Sequence, residues 1–511
     1  MFGVASGYAA ITFNAFYTLS SVPLALHYLT DEEFGLWALV TQVVSYLLLI
    51  EIGITGAVSR FLLDHKDHKE AGQYGSVIKT GCLVLAAQGL VIAVGGLLIS
   101  FGLKSLFPNV SHELLPIFQF LVAAQCVLVG VFFCSRVLMG ILQAHQRFDV
   151  LNYTLIVQLV IGFAVQWFGF HAGWKLHALL AANFASFLCG VAVNYWSVKY
   201  LKLFPPARHW GRLSMKAFRE MFAFGSELFM LAMGLQLLNG SQVVIISRTL
   251  GLPAAAIWTI ATKTYALAFQ FVQRIFDFSA GALGEMMVRG ERATLRRRYR
   301  DILMLTAAMA VFVNASVAVG NASFLNVWVH RWAEMNGASS WPWWNDALMG
   351  VLMLLNCITR CQIGLLGYAK EIGGMRWIYF LEGACFVVAS LMVARPFGTA
   401  GIILVAIVAN VIWSGACGMW RGGRYLGVTA GEMVRHWLRP AGKYFLMLVP
   451  ITALLWWATF QLPPLPGLAV NAVVMLAVGL SLMWFVGLTE ELRRELRTAA
   501  AGVYRRLTGR A

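Results

Sequence analysis

Charged residues are scarce in this sequence. Only 12% of the 511 residues are Asp, Glu, Lys or Arg, whereas a soluble globular protein carries about 25%. Hydrophobic residues make up 59% of the chain, and they form runs long enough for a helical crossing instead of the short alternating segments of a membrane β-barrel. The composition therefore excludes a soluble protein, and it predicts an all-α polytopic membrane protein.

Cysteines that could pair in a loop are also missing. All eight cysteines lie inside apolar runs, so we expect no disulfide bonds. Cys357 and Cys361 have the i, i+4 spacing of two ligands on one helix face, but no His or carboxylate stands beside them. We therefore favour two small buried hydrophobic residues over a metal site.

Recognisable catalytic motifs are absent as well. The sequence has no glycine-rich phosphate loop, no paired catalytic carboxylates, no Ser-His-Asp set and no metal-binding cluster. We therefore expect neither an enzyme nor a resident cofactor. The 39 Lys and Arg outnumber the 23 Asp and Glu, but the positive residues occupy short loops between apolar runs, so we do not expect nucleic-acid binding.

About 14 apolar stretches are long enough to cross a bilayer as helices. The predicted spans are residues 3–29, 36–58, 75–103, 114–142, 151–170, 176–198, 221–248, 256–281, 301–320, 345–367, 376–394, 399–419, 441–461 and 467–488. Most Lys and Arg lie in alternate loops, and the positive-inside rule then places both termini in the cytoplasm. Met1-Phe2-Gly3 lacks the basic start of a signal peptide, so we expect none. Whether the N-terminus is complete is left open.

Two pairs of motifs recur along the chain at nearly equal offsets. LTDEEFGLW at 29–37 corresponds to LGLPAAAIW at 250–258, and RVLMGIL at 136–142 corresponds to RCQIGLL at 360–366. These pairs indicate a duplication of six spans, and both copies begin on an odd-numbered span, so the repeats are parallel. Parallel transporter repeats enclose a site between them.

The duplication predicts two parallel six-helix lobes around a central cleft. The predicted boundaries are 1–220 for the N-terminal lobe and 221–440 for the C-terminal lobe. Residues 441–511 then hold two additional transmembrane helices and a basic cytoplasmic tail.

The apolar run 256–281 carries a polar stripe on one helix face. Its members are Lys263, Gln270, Arg274 and Asp277. An unpaired charge at the centre of a bilayer costs roughly 2.5–3.5 kcal/mol, so we expect this face to contact protein or a wet cavity. We predict that it forms a cationic cleft for an anionic, lipid-linked substrate. For Arg274, a structural pair with Asp277 at i+3 is the alternative.

Two further basic segments lie outside the spans. Arg296, Arg297 and Arg298 fall in the predicted loop 282–300, where we expect them to set orientation and to touch anionic lipid. The tail that begins at Thr489 has acids and bases at helical spacing, which predicts a surface helix on the cytoplasmic leaflet.

A family resemblance lies mainly in residues 23–62 and 136–147, and the first of these stretches carries its clearest marks. It is carried by the acidic turn Asp31-Glu32-Glu33, the following Phe34-Gly35-Leu36-Trp37, then Glu51-Ile52-Gly53 and Arg60. This stretch resembles the opening of bacterial polysaccharide-export flippases, the O-antigen-type translocases of the multidrug/oligosaccharidyl-lipid/polysaccharide exporter superfamily. The resemblance implies a V-shaped pair of lobes whose spans 1, 2, 7 and 8 line the cleft.

The same resemblance implies a substrate and a location. The expected substrate is an undecaprenyl-pyrophosphate-linked oligosaccharide unit, which moves by alternating access from the cytoplasmic to the periplasmic leaflet of the bacterial inner membrane during O-antigen or exopolysaccharide biosynthesis. The seventh span departs from the family pattern, because Asn239 and Gln242 occur where such exporters often carry an acid. This departure puts an ion-coupling role at that position in doubt.

Other polar residues inside the spans are further candidates for the cleft. Arg136 and Arg360 correspond in the two repeats, and each could receive the phosphate or extend its stem to the membrane surface. Glu51 and Asp277 are candidates for ion coupling or for ion pairs, Glu51 with a neighbouring helix. The amides and hydroxyl that could bind sugar hydroxyls, or bond one helix to another, are Asn14, Thr18, Gln236 and Asn239. Gln42, which in the first repeat corresponds to Lys263, is a further substrate-binding candidate in the cleft.

The expected partners are the lipid-linked saccharide and membrane lipids, with a polysaccharide polymerase and a chain-length regulator as further candidates. Because no ATP-binding motif occurs, transport would draw on an H+ or Na+ gradient or on removal of the product outside. Two other functions stay open: a cation-coupled drug antiporter, and a scaffold of a glycan-assembly complex without transport of its own. An organic-cation site would need an acidic lining, which the cationic stripe does not supply.

Overall fold

The structure is a computed structural model that describes residues 2–48, 54–65, 72–108, 110–329, 341–369, 371 and 373–498. Within these ranges the regular elements are all helical. Of the described helices, 11 are long and apolar enough to cross a membrane, and two of these 11 candidate spans exceed 36 residues. Each span predicted from the sequence overlaps a described helix. The predicted all-α membrane fold is therefore confirmed.

The chain divides into two compact units, Met1–Ile260 with Tyr379–Gly398 and Ala261–Ile378 with Thr399–Ala511. The helices of the first unit are α1 (Phe2–Tyr28), α2 (Asp31–Leu47), α3 (Ile54–His65), α4 (Gln73–Leu106), α5 (Leu115–Phe132), α6 (Arg136–Ala144), α7 (Phe148–His171), α8 (Leu176–Tyr200), α9 (Met215–Thr249) and α10 (Leu252–Ala261). The predicted lobe boundaries after residues 220 and 440 stay a prediction.

The second unit is built on long helices that continue through short π-helical turns. Its helices are α11 (Lys263–Val288), α12 (Arg292–Trp328), α13 (Trp343–Tyr368), parts of α14 (Met375–Asn410), α15 (Ala416–Leu426), α16 (Arg439–Thr459) and α17 (Pro464–Val474). The last helix continues through π-helical turns to Gly487, and residues 490–498 form a further helix, α18. Both α16 and α17 pack along α12, as does α11.

The acidic turn near the N-terminus is a helix start. Thr30 caps α2: its hydroxyl accepts a hydrogen bond from the Glu33 backbone N–H at 3.2 Å, and the Glu33 carboxylate accepts one from the Thr30 N–H at 2.8 Å. Such a capping box satisfies two backbone donors that the helix cannot satisfy itself. Glu33 also receives the Lys175 ammonium at 3.1 Å. The motif therefore fixes where α2 begins and ties it to the start of α8.

The backbone of α14 bends at Gly398. This glycine has φ 60° and ψ −148°, a combination that is nearly restricted to glycine. Pro396 precedes it and removes a backbone donor. The predicted spans 376–394 and 399–419 meet at this residue, so α14 consists of two helical segments that Gly398 separates, as the two predicted spans require.

Candidate functional site

The polar stripe of residues 256–281 lies on a helix that is interrupted. The predicted eighth span consists of α10, which ends at Ala261, and α11, which begins at Lys263. At the interruption the Ala261 carbonyl accepts hydrogen bonds from the Asn321 amide and the Thr264 hydroxyl, each at 3.3 Å. Because side chains satisfy this carbonyl, Lys263 occupies the first position of a new helix within the second unit.

Two cations of the stripe have no counter-charge within the described ranges. Lys263 and Arg274 are half-buried, and neither forms an ion pair with any residue in the described part of the chain. They stand about 16 Å apart along α11 at 1.5 Å per residue. Gln270 lies between them and is exposed. Since a buried cation without a carboxylate is costly, the face that carries both residues is suited to an anion.

The carboxylate of the stripe has a different partner. Asp277 lies 3.9 Å from the Arg360 guanidinium of α13, and both side chains are about two-fifths exposed. The alternative pair between Arg274 and Asp277 is thus not formed among the described residues. Arg360, the predicted phosphate receiver of the second repeat, is already beside a carboxylate on the same unit.

Arg136 begins α6 in the first unit, directly after a short 3-10 turn over Phe133–Ser135. Its guanidinium carbon lies 4.5 Å from the centre of the Phe133 ring. This is the geometry of a cation–π contact, which stabilises a guanidinium without neutralising it. The contact ties Arg136 to an aromatic ring in the 3-10 turn that precedes α6.

The first unit gathers amides between α2 and α9. The Ser45 hydroxyl accepts a hydrogen bond from the Gln42 amide at 2.6 Å and another from the Gln236 amide. A Cβ at Gly240 would lie less than 3.0 Å from the amide nitrogens of Gln236 and Gln42, so a larger residue there would force these two side chains to move. The side-chain oxygens of Gln42 and Gln236 accept no hydrogen bond from any residue that the structure describes. The cluster joins two helices and leaves two acceptors for a ligand hydroxyl.

The other predicted polar site residues lie on α9, on α1 and beyond the described residues. Asn239 is exposed, and its amide donates to the Leu235 carbonyl at 3.0 Å on its own helix. Asn14 and Thr18 are half-buried on α1. Glu51 falls outside the described residues, so its coupling role stays a prediction.

One buried acid was not among the predicted residues. Asp346, in the first turn of α13, is only 2% exposed. Its carboxylate accepts hydrogen bonds from the Asn321 amide at 2.7 Å, the Trp341 indole at 2.9 Å and the Tyr265 hydroxyl at 3.0 Å. These donors are neutral and come from α11, α12 and the segment before α13. An acid inside an apolar span is by itself a signal in sequence, because it must find such donors.

The network around Asp346 also holds the start of α11. The Asn321 side-chain oxygen accepts a hydrogen bond from the Thr264 hydroxyl at 2.8 Å. Thr264 and Tyr265 directly follow Lys263, so Asn321 and Asp346 fix the turn from which the Lys263 side chain extends. Asp346 is therefore a positioning residue for the cationic face of α11.

An apolar groove opens elsewhere on the second unit. It has a volume of about 540 Å³ and runs between α12, α13 and α16. Val311, Leu354 and Leu448 line it together with the rings of Trp343 and Trp456. These two rings are in contact, with their centres 5.5 Å apart. The groove has the apolar lining that an aliphatic chain requires.

The comparisons with known proteins agree with this architecture. The sequence model of a family described as polysaccharide biosynthesis protein matches residues 9–278, more than half of the chain. No curated protein matches the chain at a significant level.

Several solved structures share the fold. The chain is similar to the lipid II flippase MurJ in an inward closed conformation, with a TM-score of 0.64 and 10% identity over 94% of this chain and 98% of that one. It is similar to an inward-facing multidrug resistance transporter of the MATE family, with a TM-score of 0.63 and 11% identity over 80% of this chain and 94% of that one. A transporter of the same MOP superfamily from Pyrococcus furiosus gives a TM-score of 0.60 and 13% identity over 82% of this chain and 93% of that one.

Identities this low establish a common fold and no more, whereas the family match covers the N-terminal half at the level of sequence. The motif-based resemblance is therefore confirmed. The chain belongs to the polysaccharide biosynthesis protein family, and it has the fold of the transporters of the multidrug/oligosaccharidyl-lipid/polysaccharide exporter superfamily.

Proposed function

We propose that this protein is a flippase for an undecaprenyl-pyrophosphate-linked oligosaccharide unit. It moves this unit from the cytoplasmic to the periplasmic leaflet of the bacterial inner membrane by alternating access, with both of its termini in the cytoplasm, and it catalyses no covalent step. The observation that carries the proposal is the face of α11 on which Lys263 and Arg274 have no carboxylate partner among the described residues. Membership of a polysaccharide biosynthesis family supports the saccharide part of the substrate.

The two cations suit a diphosphate. A guanidinium offers planar paired donors that match phosphate oxygens, and an ammonium supplies a compact charge. Because Lys263 and Arg274 are about 16 Å apart along the helix, they mark two positions for the diphosphate on its path. In this proposal the headgroup passes from one cation to the other as the transporter changes state.

Arg360 can also bind the diphosphate if it exchanges its carboxylate partner, Asp277, for the phosphate. Its pair with Asp277 is long, at 3.9 Å, and half-exposed, and pairs of this kind stabilise a protein by about 0–1 kcal/mol. An arriving diphosphate offers more charge than one carboxylate, so it can displace Asp277 from Arg360. Asp277 is then released to bind a proton or a cation, which links this pair to ion coupling. Glu51 remains the second coupling candidate.

The remaining parts of the substrate have candidate contacts in each unit. Gln42 and Gln236 offer free amide oxygens to sugar hydroxyls, and Asn14, Asn239 and Gln270 are further candidates for the saccharide. The apolar groove beside α16 suits part of a polyprenyl chain. A polysaccharide polymerase and a chain-length regulator are the proposed partners in the membrane.

The test replaces each cation separately. Lys263→Ala and Arg274→Ala are expected to reduce translocation of the lipid-linked saccharide by about tenfold or more, since each loses a charge-assisted contact. Arg289→Ala is the matched control, because Arg289 caps the end of the same helix and pairs there with Glu285. The measurements are surface polysaccharide in cells, translocation in liposomes, and the amount of protein in the membrane.

Full activity of both variants would refute the role of the cationic face. Drug resistance on overexpression without any glycan phenotype would favour the antiporter, and failure of the unaltered protein to move lipid-linked sugar in liposomes would favour the scaffold.

A further inference from the structure

The start of α12 carries a run of arginines that are mostly paired. Arg296 lies 2.8 Å from Glu432, Arg298 lies 2.5 Å from Glu495, and Arg300 lies 2.7 Å from Glu491. Two of these carboxylates belong to α18, so the ion pairs hold that helix against α12. The predicted loop with the three arginines is therefore helical, and the predicted surface helix is packed against it within the second unit.

Arg297 differs from its neighbours in this run. It is exposed and forms no ion pair with any residue of the described ranges. It lines a pocket of about 430 Å³ together with Arg296, Arg300 and His436. The pocket therefore gathers three guanidinium groups and an imidazole around a volume that no described side chain fills.

The acids at this pocket are already engaged. Glu432 and Glu491 also line it, but each accepts from an arginine of α12. A third acid, Asp301, lies 3.0 Å from Arg300. These pairs orient Arg296 and Arg300, and a guanidinium has more donors than one carboxylate can occupy. The unshared charge of Arg297 leaves the lining net positive.

The remaining walls indicate what kind of anion fits. The hydroxyl of Thr489 lines the pocket and is enclosed without a hydrogen-bond partner among the residues that the structure describes. Met304 and Trp437 supply an apolar wall, and both side chains are buried. A site with charge at its mouth, a hydroxyl donor and an apolar wall at the end of a membrane helix suits a phosphate that is attached to a lipid.

We propose that this pocket binds the phosphodiester headgroup of an anionic phospholipid, with Arg297 as the principal charge. The distribution of Lys and Arg along the chain predicts that this end of α12 faces the cytoplasm, where anionic lipids enrich the leaflet and basic pockets between helices bind their headgroups. The bound lipid would fasten the α12–α18 contact to the membrane surface. The proposal does not depend on the transported substrate.

The experiment uses the purified full chain in detergent with three additives: phosphatidylglycerol, phosphatidylcholine and inorganic phosphate. Binding is measured by native mass spectrometry and by the shift of the thermal unfolding temperature. We expect phosphatidylglycerol alone to bind and to stabilise the protein. Arg297→Ala is expected to weaken this binding on the order of fivefold, which is the effect of one basic residue at an anionic membrane surface.

Arg298→Ala is the matched control, because it removes the same charge from the adjacent position but does not line the pocket. It should leave lipid binding within about twofold of the unaltered protein. An equal loss of phosphatidylglycerol binding in the two variants would mean that the lipid is attracted by the general positive charge of this region, and it would overturn the proposal. Equal stabilisation by phosphatidylcholine, or by inorganic phosphate at the same concentration, would overturn it too. Thermal unfolding of Arg297→Ala without added lipid checks that this variant folds. We expect its unfolding temperature to equal that of the unaltered protein, because Arg297 forms no ion pair with a described residue.

Discussion

Asp277 forms its ion pair with Arg360 on the neighbouring helix α13, 3.9 Å away, and not with Arg274 one turn earlier on its own helix. This choice of partner separates two roles that the spacing alone could not distinguish. Arg274 keeps its full charge on the face that it shares with Lys263. Asp277 and Arg360 form a weak pair that can be opened at little energetic expense.

A first prediction concerns these two roles. Asp277→Asn should change the free energy of unfolding by less than about 1 kcal/mol, because the half-exposed pair contributes little to stability. Arg274→Ala should also leave stability nearly unchanged, since no described carboxylate loses a partner, yet it should lower translocation strongly. Thermal unfolding in detergent and translocation in liposomes measure both quantities on the same preparations. A loss of stability in Arg274→Ala that matches its loss of transport would contradict the assignment.

A second prediction concerns Asp346. Asp346→Ala removes the carboxylate acceptor that the Tyr265, Asn321 and Trp341 donors share. The Tyr265 hydroxyl keeps the backbone carbonyl of residue 346, and the Asn321 amide keeps the Ala261 carbonyl at 3.3 Å, so each donor loses part of its hydrogen bonding. Unsatisfied buried donors destabilise by roughly 1–3 kcal/mol each in soluble proteins, and by somewhat less in membranes. We therefore expect a clear fall in the thermal unfolding temperature. Tyr265→Phe is the intermediate variant, because it removes one donor and keeps the carboxylate. Its unfolding temperature should lie between those of Asp346→Ala and the unaltered protein. An unfolding temperature of Asp346→Ala equal to that of the unaltered protein would show that the network is not stabilising.

Much of the fold could be predicted because its signals are local. The apolar runs locate the helices, and the residues of the Thr30–Glu33 turn mark a helix start through their own hydrogen-bonding chemistry. The helical interruption before Lys263 is different. It depends on side chains of Asn321 and Thr264 that reach the Ala261 carbonyl, and Asn321 is distant in sequence.

In the candidate site, too, local features could be predicted and contacts between distant residues could not. The stripe on α11 is a matter of helical spacing, so Lys263 and Arg274 are visible in sequence. Whether a charge has a partner depends on neighbouring helices, which is why Arg360 as the partner of Asp277 was not predicted. Asp346 was missed for a related reason: its importance comes from three donors, and two of them lie far away along the chain.

A third prediction concerns the amide cluster of the first unit. Gln42→Leu keeps the volume of the side chain but removes the amide oxygen proposed for a sugar hydroxyl. We expect weaker binding of the lipid-linked saccharide, by about fivefold, as for one ordinary hydrogen bond. Asn239→Leu is the comparison, since its amide bonds within its own helix. Binding of the purified substrate to purified protein measures both variants. A larger loss in Asn239→Leu than in Gln42→Leu would place the saccharide on the exposed turn of α9 instead of the cluster.

The last prediction isolates the backbone of Gly398. A Cβ at this position would meet no atom within 4 Å, so a substitution there has no steric effect from neighbours. The effect of Gly398→Ala must therefore come from its φ of 60°, and such conformations cost a residue with a side chain on the order of 1–3 kcal/mol. Gly102 of α4 is the matched control, because a Cβ there also meets nothing within 4 Å but its backbone is helical. Gly102→Ala should be neutral or stabilising by up to about 1 kcal/mol, as expected in a helix interior. If thermal unfolding shows equal effects for the two variants, the junction at Gly398 accepts a residue with a side chain without penalty, and a glycine is then not required there.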